Sequence, residues 1–419
     1  MKKNGFTLVE ITVCVVLLVT IFLIIVPKVN TMINNKKKNA YNSLISTVKD
    51  AAQAYVYLNV NIVDDAIESQ GYYEVSIRTL QENELLENKL ENPLTGKNIP
   101  STSIVKIIKN NEEYIYKFSL DYQYLLEHII DLYSSEETRI SNGLKKDNTP
   151  DQNIRYYGSN PNNYVSFNNE LWRIIGVFGN NVKLVRKDSL GSLSWDSSES
   201  SINGGFGVNE WSQADLQVYL NKMYYGGDTT VTCYGGTKNS TKTCPTNRLD
   251  NTAKTLIDNH TWNTGAIEYN TRTDTVAFYK DERGNQTGKI CNGGTFCSDT
   301  VERTTTWTGY IGLPYPTDYA YASGENICET NMVKQDSSDA YICENNNWMF
   351  KSIWYWTLSP FARSANSRYV WYVNGDGDVN NSNAASGGAV FPAIYLKSNV
   401  LIESGAGTSS NPYILKAGS

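Results

Sequence analysis

Histidine is nearly absent from this chain: its 419 residues include two, His128 and His260. A Ser/His/Asp or Cys/His triad needs a histidine oriented by a carboxylate. Only His260 falls in the C-terminal part, beside Thr255-Leu256-Ile257-Asp258-Asn259, which reads as a helix end, so a solvated loop histidine is expected there. Cysteine is sparse as well, seven residues with no CxxC pair and no histidine near a cysteine pair, which leaves a zinc site without its usual ligand spacing. A basic excess is also missing. Lys and Arg number 37 against 43 Asp and Glu, a formal net charge of −6, so charge suggests no nucleic-acid partner. The one basic run, Lys36-Lys37-Lys38, reads as a solvated helix face. No paired carboxylates announce themselves, and neither an enzyme nor a cofactor is expected.

What the chain does have is a distinctive beginning. Lys2 and Lys3 precede Gly5-Phe6-Thr7-Leu8-Val9-Glu10, and an apolar run continues to Val26-Pro27. With Phe6 to Val9 the apolar stretch covers about 20 residues, roughly what a hydrocarbon core requires. A secretory signal peptide would be cleaved after its apolar core at a small-x-small site; none follows Val26. A plain anchor would not carry Glu10 within the span, since a carboxylate in lipid costs on the order of a few kcal/mol unless paired. Lys2 and Lys3 before the span put the N-terminus in the cytoplasm and the bulk of the chain outside.

This arrangement resembles the type IV prepilin leader. The resemblance implies that a prepilin peptidase cuts between Gly5 and Phe6 and methylates the Phe6 amine. Glu10 would then pair with the terminal amine of a neighbouring subunit, and Pro27 sits where pilins carry a kinking proline. Buried opposite charges offset each other's desolvation only when they meet, which is consistent with that pairing. The implied partners are other pilin subunits, the peptidase and the inner-membrane pilus assembly machinery. The implied location is the cytoplasmic membrane as a single-pass precursor, then an extracellular pilus.

Past Pro27, residues Ala40, Leu44, Val48, Ala51, Ala52, Tyr55 and Leu58 recur at three- and four-residue steps and predict an amphipathic continuation of the helix. A small head follows: a helix at 78–86, a turn at Asn92-Pro93-Leu94-Thr95-Gly96 that looks like one in pilins of Gram-positive bacteria, and strands at 103–109 and 113–119. The expected division is a leader at 1–5, a stem helix at 6–60 with its membrane half at 6–27, a head at 61–120, a linker at 121–153 and a second domain at 154–419.

Six of the seven cysteines lie outside the apolar run, an even number suited to disulfides in an oxidising space. The sequence-local pairing is Cys233–Cys244, Cys291–Cys297 and Cys328–Cys343, each stapling a polar insertion.

From Ile154 the texture changes to short β runs with Gly, Asn and Ser turns. Tyr164 to Phe167, Asn168-Asn169 and Leu171 to Val177 read as a hairpin, with Val182 to Arg186 as a third strand. Amphipathic helices are expected at 210–221 and 252–259, and strands at 310–313, 319–322, 354–360, 369–373 and 391–397. The order resembles the C-type-lectin-like fold, and more closely a bacterial ectodomain family related to formylglycine-generating enzymes. The carrying residues are Leu171-Trp172-Arg173-Ile174, Ala214-Asp215-Leu216 with Leu220-Asn221, Trp356-Thr357-Leu358-Ser359-Pro360 and Pro392-Ala393-Ile394-Tyr395-Leu396. Those enzymes work through a cysteine pair near the C-terminal end, and no cysteine follows Cys343. The expected class is therefore α+β: a long pilin helix, a small antiparallel-sheet head and a C-type-lectin-like domain.

Aromatics supply the candidate ligand site. Trp348, Trp354, Trp356, Tyr369, Trp371 and Tyr372 crowd one stretch. One strand face must be core, and the other would be a platform for sugar rings or a protein partner. Trp354, Tyr369 and Trp371 are the candidates. Asp376 and Asp378, in Asn374-Gly375-Asp376-Gly377-Asp378-Val379-Asn380, are calcium candidates, against which stands a simple Asn/Asp-Gly hairpin. The expected role is a minor pilin that displays an adhesion or recognition domain for a glycan or a host-cell protein. The alternatives are a pseudopilin of a secretion or DNA-uptake machine and an anchored enzyme of formylglycine-enzyme-like fold.

Overall fold

A computed structural model describes residues 36–418 except 38, 94–97, 100, 102, 111–112, 119–122, 135, 199–203, 269–273, 285–303, 334–342 and 363–366. The leader and apolar run, with Gly5, Phe6, Glu10 and Pro27, lie outside the described residues, as do Cys291 and Cys297. The chain divides into two units, one up to residue 122 and one over Gln123–Gly418.

In the first unit a helix over 39–58 buries Tyr41, Val48, Ala51, Ala52, Tyr55 and Val56. These residues recur at helical spacing and meet Val63, Val75, Ile77, Leu80, Val105, Ile107 and Phe118 in one core. The sheet beneath is antiparallel, ordered Tyr73–Ser76, Ile104–Asn110, Glu113–Phe118. Asn59, at φ −130°, leaves the helical region and separates 39–58 from Val60–Gln70. Gly71, at φ +84°, then closes the second helix with its N–H donating to the Ile67 carbonyl at 2.8 Å. Ser76 caps the short helix Ile77–Glu82, accepting from the Thr79 N–H at 3.0 Å. Leu58, expected on the buried stripe, is 66% exposed in the last position before the break at Asn59, and Tyr57 and Ile62 are exposed too.

The second unit is built on two sheets. The larger has ten strands. Its main path runs Ile311–Gly312, Ala393–Leu396, Asn181–Arg186, Glu170–Phe178, Tyr164–Phe167, Tyr413–Ala417, Val400–Ser404, Gln123–Tyr124, and Leu144–Lys146 and Ile154–Tyr156 join it through Glu170–Phe178. Asn168 and Asn169, at φ +57° and +56°, make the tight turn of the Tyr164–Phe178 hairpin. Gly176 sits at a register shift in that long strand, where a Cβ would lie 2.2 Å from the Ile154 carbonyl oxygen. The smaller sheet runs Ser192–Ser194, Gly387–Ala389, Tyr355–Ala362, Tyr369–Val373, Val379–Asn383, with Ile267–Glu268 parallel to Tyr355–Ala362. Trp172, Trp195, Trp211, Trp262, Trp356 and Trp371 are fully buried in one shared core.

These findings correct the expected fold class. The described chain is β-rich, with sheets of three, six and ten strands and two of two strands; its helices beyond 39–58 are short, and no long N-terminal helix of the expected 6–60 kind is seen among the described residues. The α+β arrangement of a long pilin helix and a C-type-lectin-like domain is replaced by this two-sheet second unit. No described helix is long and apolar enough to cross a membrane, which is the correction to the expected single-pass membrane precursor and its transmembrane helix; the expected span at 6–27 lies outside the described residues.

Smaller corrections have local causes. Helix Leu125–Ser134 buries Leu125, Leu126 and Ile129 in the second unit's core, so residues 123–153 are part of that unit and not a free linker. Tyr319-Ala320-Tyr321-Ala322 alternates like a strand yet lies in and just after helix Pro316–Tyr321. Pro316 at its first position and Asp318 two residues on favour a helix start. The helix expected over 210–221 is three pieces, a 3₁₀ turn at Trp211–Gln213, an α turn at Asp215–Val218 and a π-helical stretch at Tyr219–Tyr225.

Disulfides join Cys233 to Cys244 and Cys328 to Cys343, with Cα atoms 5.2 and 5.3 Å apart, pairs at home in an oxidising space.

Candidate functional site

The smaller sheet sorts the candidate aromatics onto opposite faces. Trp354, Trp356 and Tyr372 share one face: the Trp354 ring centroid is 5.1 Å from that of Trp356 and 5.2 Å from that of Tyr372. Trp356 is buried, its indole N–H donating to the Leu193 carbonyl at 3.0 Å, whereas Trp354 and Tyr372 are partly exposed and Ile353 beside them is exposed. Trp371 faces the other way. It is buried against Phe278 and Phe361 with both centroids 4.9 Å away, and Tyr369 meets Phe361 on that same side. Trp354 therefore belongs to a surface patch with Tyr372, Trp371 is core, and Tyr369 is not part of the patch.

Asn374 to Asp378 form the loop of a β-hairpin. The Asn374 N–H donates to the Asp378 carbonyl at 2.7 Å, and Val373 pairs with Val379. Asp378 is buried, Asp376 is half-buried, and the loop backs onto Ser352, which puts it beside the Ile353–Trp354 patch. Burial, and then Asp378 and Asp376, push the Tyr372 hydroxyl above its usual range, so the loop carboxylates act on the patch's phenol. Among the described residues no group of three or more His, Cys, Asp or Glu side chains is arranged to hold a metal.

His260 opens strand His260–Asn263, not a loop. Its Nδ1 lies 3.1 Å from Asp258 Oδ2 and its ring stacks on Tyr395 at 3.7 Å. Burial lowers its proton affinity. None of the described hydrogen bonds brings a hydroxyl or thiol to this pair.

A third arrangement escaped the sequence reading, a buried cluster of charges between the larger sheet and helix Pro316–Tyr321. Asp318 Oδ1 accepts from Arg155 Nη1 at 2.6 Å, and Oδ2 accepts from Lys183 Nζ at 2.5 Å and from the Tyr315 N–H at 2.9 Å. Arg155 Nε also donates to Asp147 Oδ2 at 2.8 Å, and Asp147 takes further bonds from Thr149 and Asn153. Glu282, fully buried, accepts from Thr317 Oγ1 at 2.9 Å and from Arg283 Nη1 at 3.1 Å. Burial opposes every charge here, and the outcomes differ. Asp318 stays low because Lys183 and Arg155 outweigh desolvation. Burial drags Lys183 down to about 8 despite Asp318, and pushes Glu282 up to about 7 despite Arg283. The sequence held one signal for this cluster: charged Lys183 and Arg186 interrupt a strand, Asn181–Arg186, that otherwise reads as apolar core.

No family model, no curated protein and no solved structure matches the chain.

Proposed function

We propose that the chain is a filament subunit of the type IV pilin kind whose Gln123–Gly418 unit is a recognition module, binding a glycan or a cell-surface protein through the Ile353–Trp354–Tyr372 patch. The observation that carries this is the division of labour between the two units. The first holds its helix on a three-stranded antiparallel sheet and leaves Tyr57, Leu58 and Ile62 exposed, which suits packing against like subunits. The second sets exposed Ile353 and the partly exposed Trp354 and Tyr372 beside an acidic hairpin, the mixed apolar and polar chemistry that sugars and protein hot spots use. The prepilin-like Gly5-Phe6-Thr7-Leu8-Val9-Glu10 supports the assembly half of the proposal.

Mass spectrometry of the chain from the cells that make it is expected to find Met1–Gly5 removed and Phe6 carrying one methyl. A chain that keeps Met1, or is cut after Val26, overturns the pilin reading. The recognition half is tested separately on a glycan array and against cell-surface protein. Trp354→Ala is expected to cost about 2 kcal/mol, roughly thirtyfold in affinity. Unchanged binding by that variant removes the patch from the proposal.

A further inference from the structure

Lys183 and Asp318 occupy a setting in which an amine and a carboxyl are held in contact and kept from water. Lys183 lies between Val182 and Leu184 in the middle of strand Asn181–Arg186; its side chain is 0% exposed, and that of Asp318 is 1% exposed. Nζ is 2.5 Å from Oδ2. Aromatic rings wall the pair, with Nζ 4.0 Å from the centroid of Tyr315 and 5.3 Å from those of Trp262 and Tyr395. In bulk water hydrolysis opposes condensation of an amine with a carboxylic acid. Here the pair is desolvated, and burying two ions costs several kcal/mol apiece before their attraction offsets it. An amide in the same place carries no charge to desolvate.

The neighbours are those the condensation needs. Arg155 Nη1 sits 2.6 Å from Oδ1, the oxygen that would hold negative charge in a tetrahedral adduct, a placement like that of an oxyanion-stabilising donor. Glu282 is bonded to Thr317, the residue next to Asp318, and is within electrostatic reach of both Lys183 and Asp318. Its raised proton affinity suits a carboxyl that relays protons near neutral pH, and the lowered one of Lys183 makes the neutral amine accessible there.

We propose that Lys183 and Asp318 are joined by an intramolecular isopeptide bond, formed by the folded protein itself with Glu282 as proton relay and Arg155 as the stabiliser of the adduct. Glu282 passes one ammonium proton to Asp318 Oδ2, the Nζ lone pair so freed attacks Cγ, a C–N bond forms and Oδ1 takes the charge facing Arg155. The Cγ–Oδ2 bond then breaks. Two of the three ammonium protons leave with Oδ2 as water, carried by Glu282, which ends as it began. No oxidant, reductant or co-reactant enters. The product ties the larger sheet to helix Pro316–Tyr321 across a separation of 135 residues, a closure that restricts the unfolded chain more than either described disulfide, at separations of 11 and 15.

The test is the mass of the full chain, purified folded and then denatured with its disulfides reduced. The mass is expected to fall short, by one water, of the value for the N-terminus the chain carries. Proteolysis should yield one branched peptide containing both Lys183 and Asp318. Lys183→Arg and Glu282→Gln, checked for native tryptophan fluorescence, are expected to regain the water and yield linear peptides. A wild-type chain of full mass, or a missing water mapped to other residues, overturns the bond. A branched peptide that persists in Glu282→Gln overturns the relay assigned to Glu282. The wild-type measurement needs no variant to fold.

Discussion

Arg155→Ala is expected to destabilise the second unit by roughly 3–5 kcal/mol, the range for removing one partner of a buried charge pair. That is a large part of the ~5–15 kcal/mol that holds a domain folded. The guanidinium is 1% exposed and serves two carboxylates, Asp147 at 2.8 Å and Asp318 at 2.6 Å, while its plane lies 4.3 Å from the Phe178 ring centroid and 5.0 Å from that of Tyr321. Truncation strands Asp147 in a site closed to water and leaves a void between the two rings. The stranded charge dominates, so the double variant Arg155→Met with Asp147→Asn should recover much of the loss by refilling the volume and removing the orphan. Urea denaturation followed by tryptophan fluorescence isolates the effect, because all nine tryptophans lie within the second unit. A midpoint that hardly moves for the single variant, or a double variant no better than the single, would sink the argument.

How far the sequence revealed this molecule follows from which signals are local. Tyr164–Phe167 with Glu170–Phe178 was legible because Asn168-Asn169 accept positive φ between two β-rich runs. Tyr369–Val373 was legible from its β-branched and aromatic run, and the hairpin to Val379 from its Asn/Asp-Gly loop. The buried stripe Val48, Ala51, Ala52, Tyr55 was legible from spacing and ended early because Asn59 breaks the helix, which no periodicity announces. Partner choice in sheets was not legible. Tyr413–Ala417 lies parallel to Tyr164–Phe167 from the far end of the chain, and Ile154–Tyr156 reaches Glu170–Phe178 only where Gly176 lets it approach. The charge cluster was hidden for the same reason. Asp147 and Arg155 belong to one hairpin, while Lys183, Glu282 and Asp318 come from three further segments, and apart from Lys183 in its apolar strand each alone looks like a surface residue or a helix-start carboxylate. Of the aromatic candidates, alternation placed Trp354 with Trp356, and only the packing of Trp371 on Phe278 and Phe361 decided which face was core.

Glu282 makes the stability of the second unit depend on pH in a direction opposite to that of a salt-bridged carboxylate. Its carboxyl titrates near 7 in the folded chain against an ordinary 4.5, because burial outweighs the Arg283 guanidinium and the Thr317 hydroxyl. Below the ordinary value both states are protonated and the group is neutral toward folding. Between the two values the folded state keeps a proton that the unfolded state has released, so stability falls as pH rises. Above 7 both states are ionised and the full penalty remains. The separation corresponds to about 3 kcal/mol at 1.36 kcal/mol per pH unit. Glu282→Gln keeps the shape and cannot ionise, so this descent is expected to vanish from its stability profile, whatever its absolute stability. Urea midpoints taken from about pH 4 to about pH 8 compare the two slopes directly. Parallel profiles for wild type and variant would show that Glu282 is already ionised in the folded chain. Arg283, 21% exposed and 3.1 Å away, would then outweigh the burial of the carboxyl.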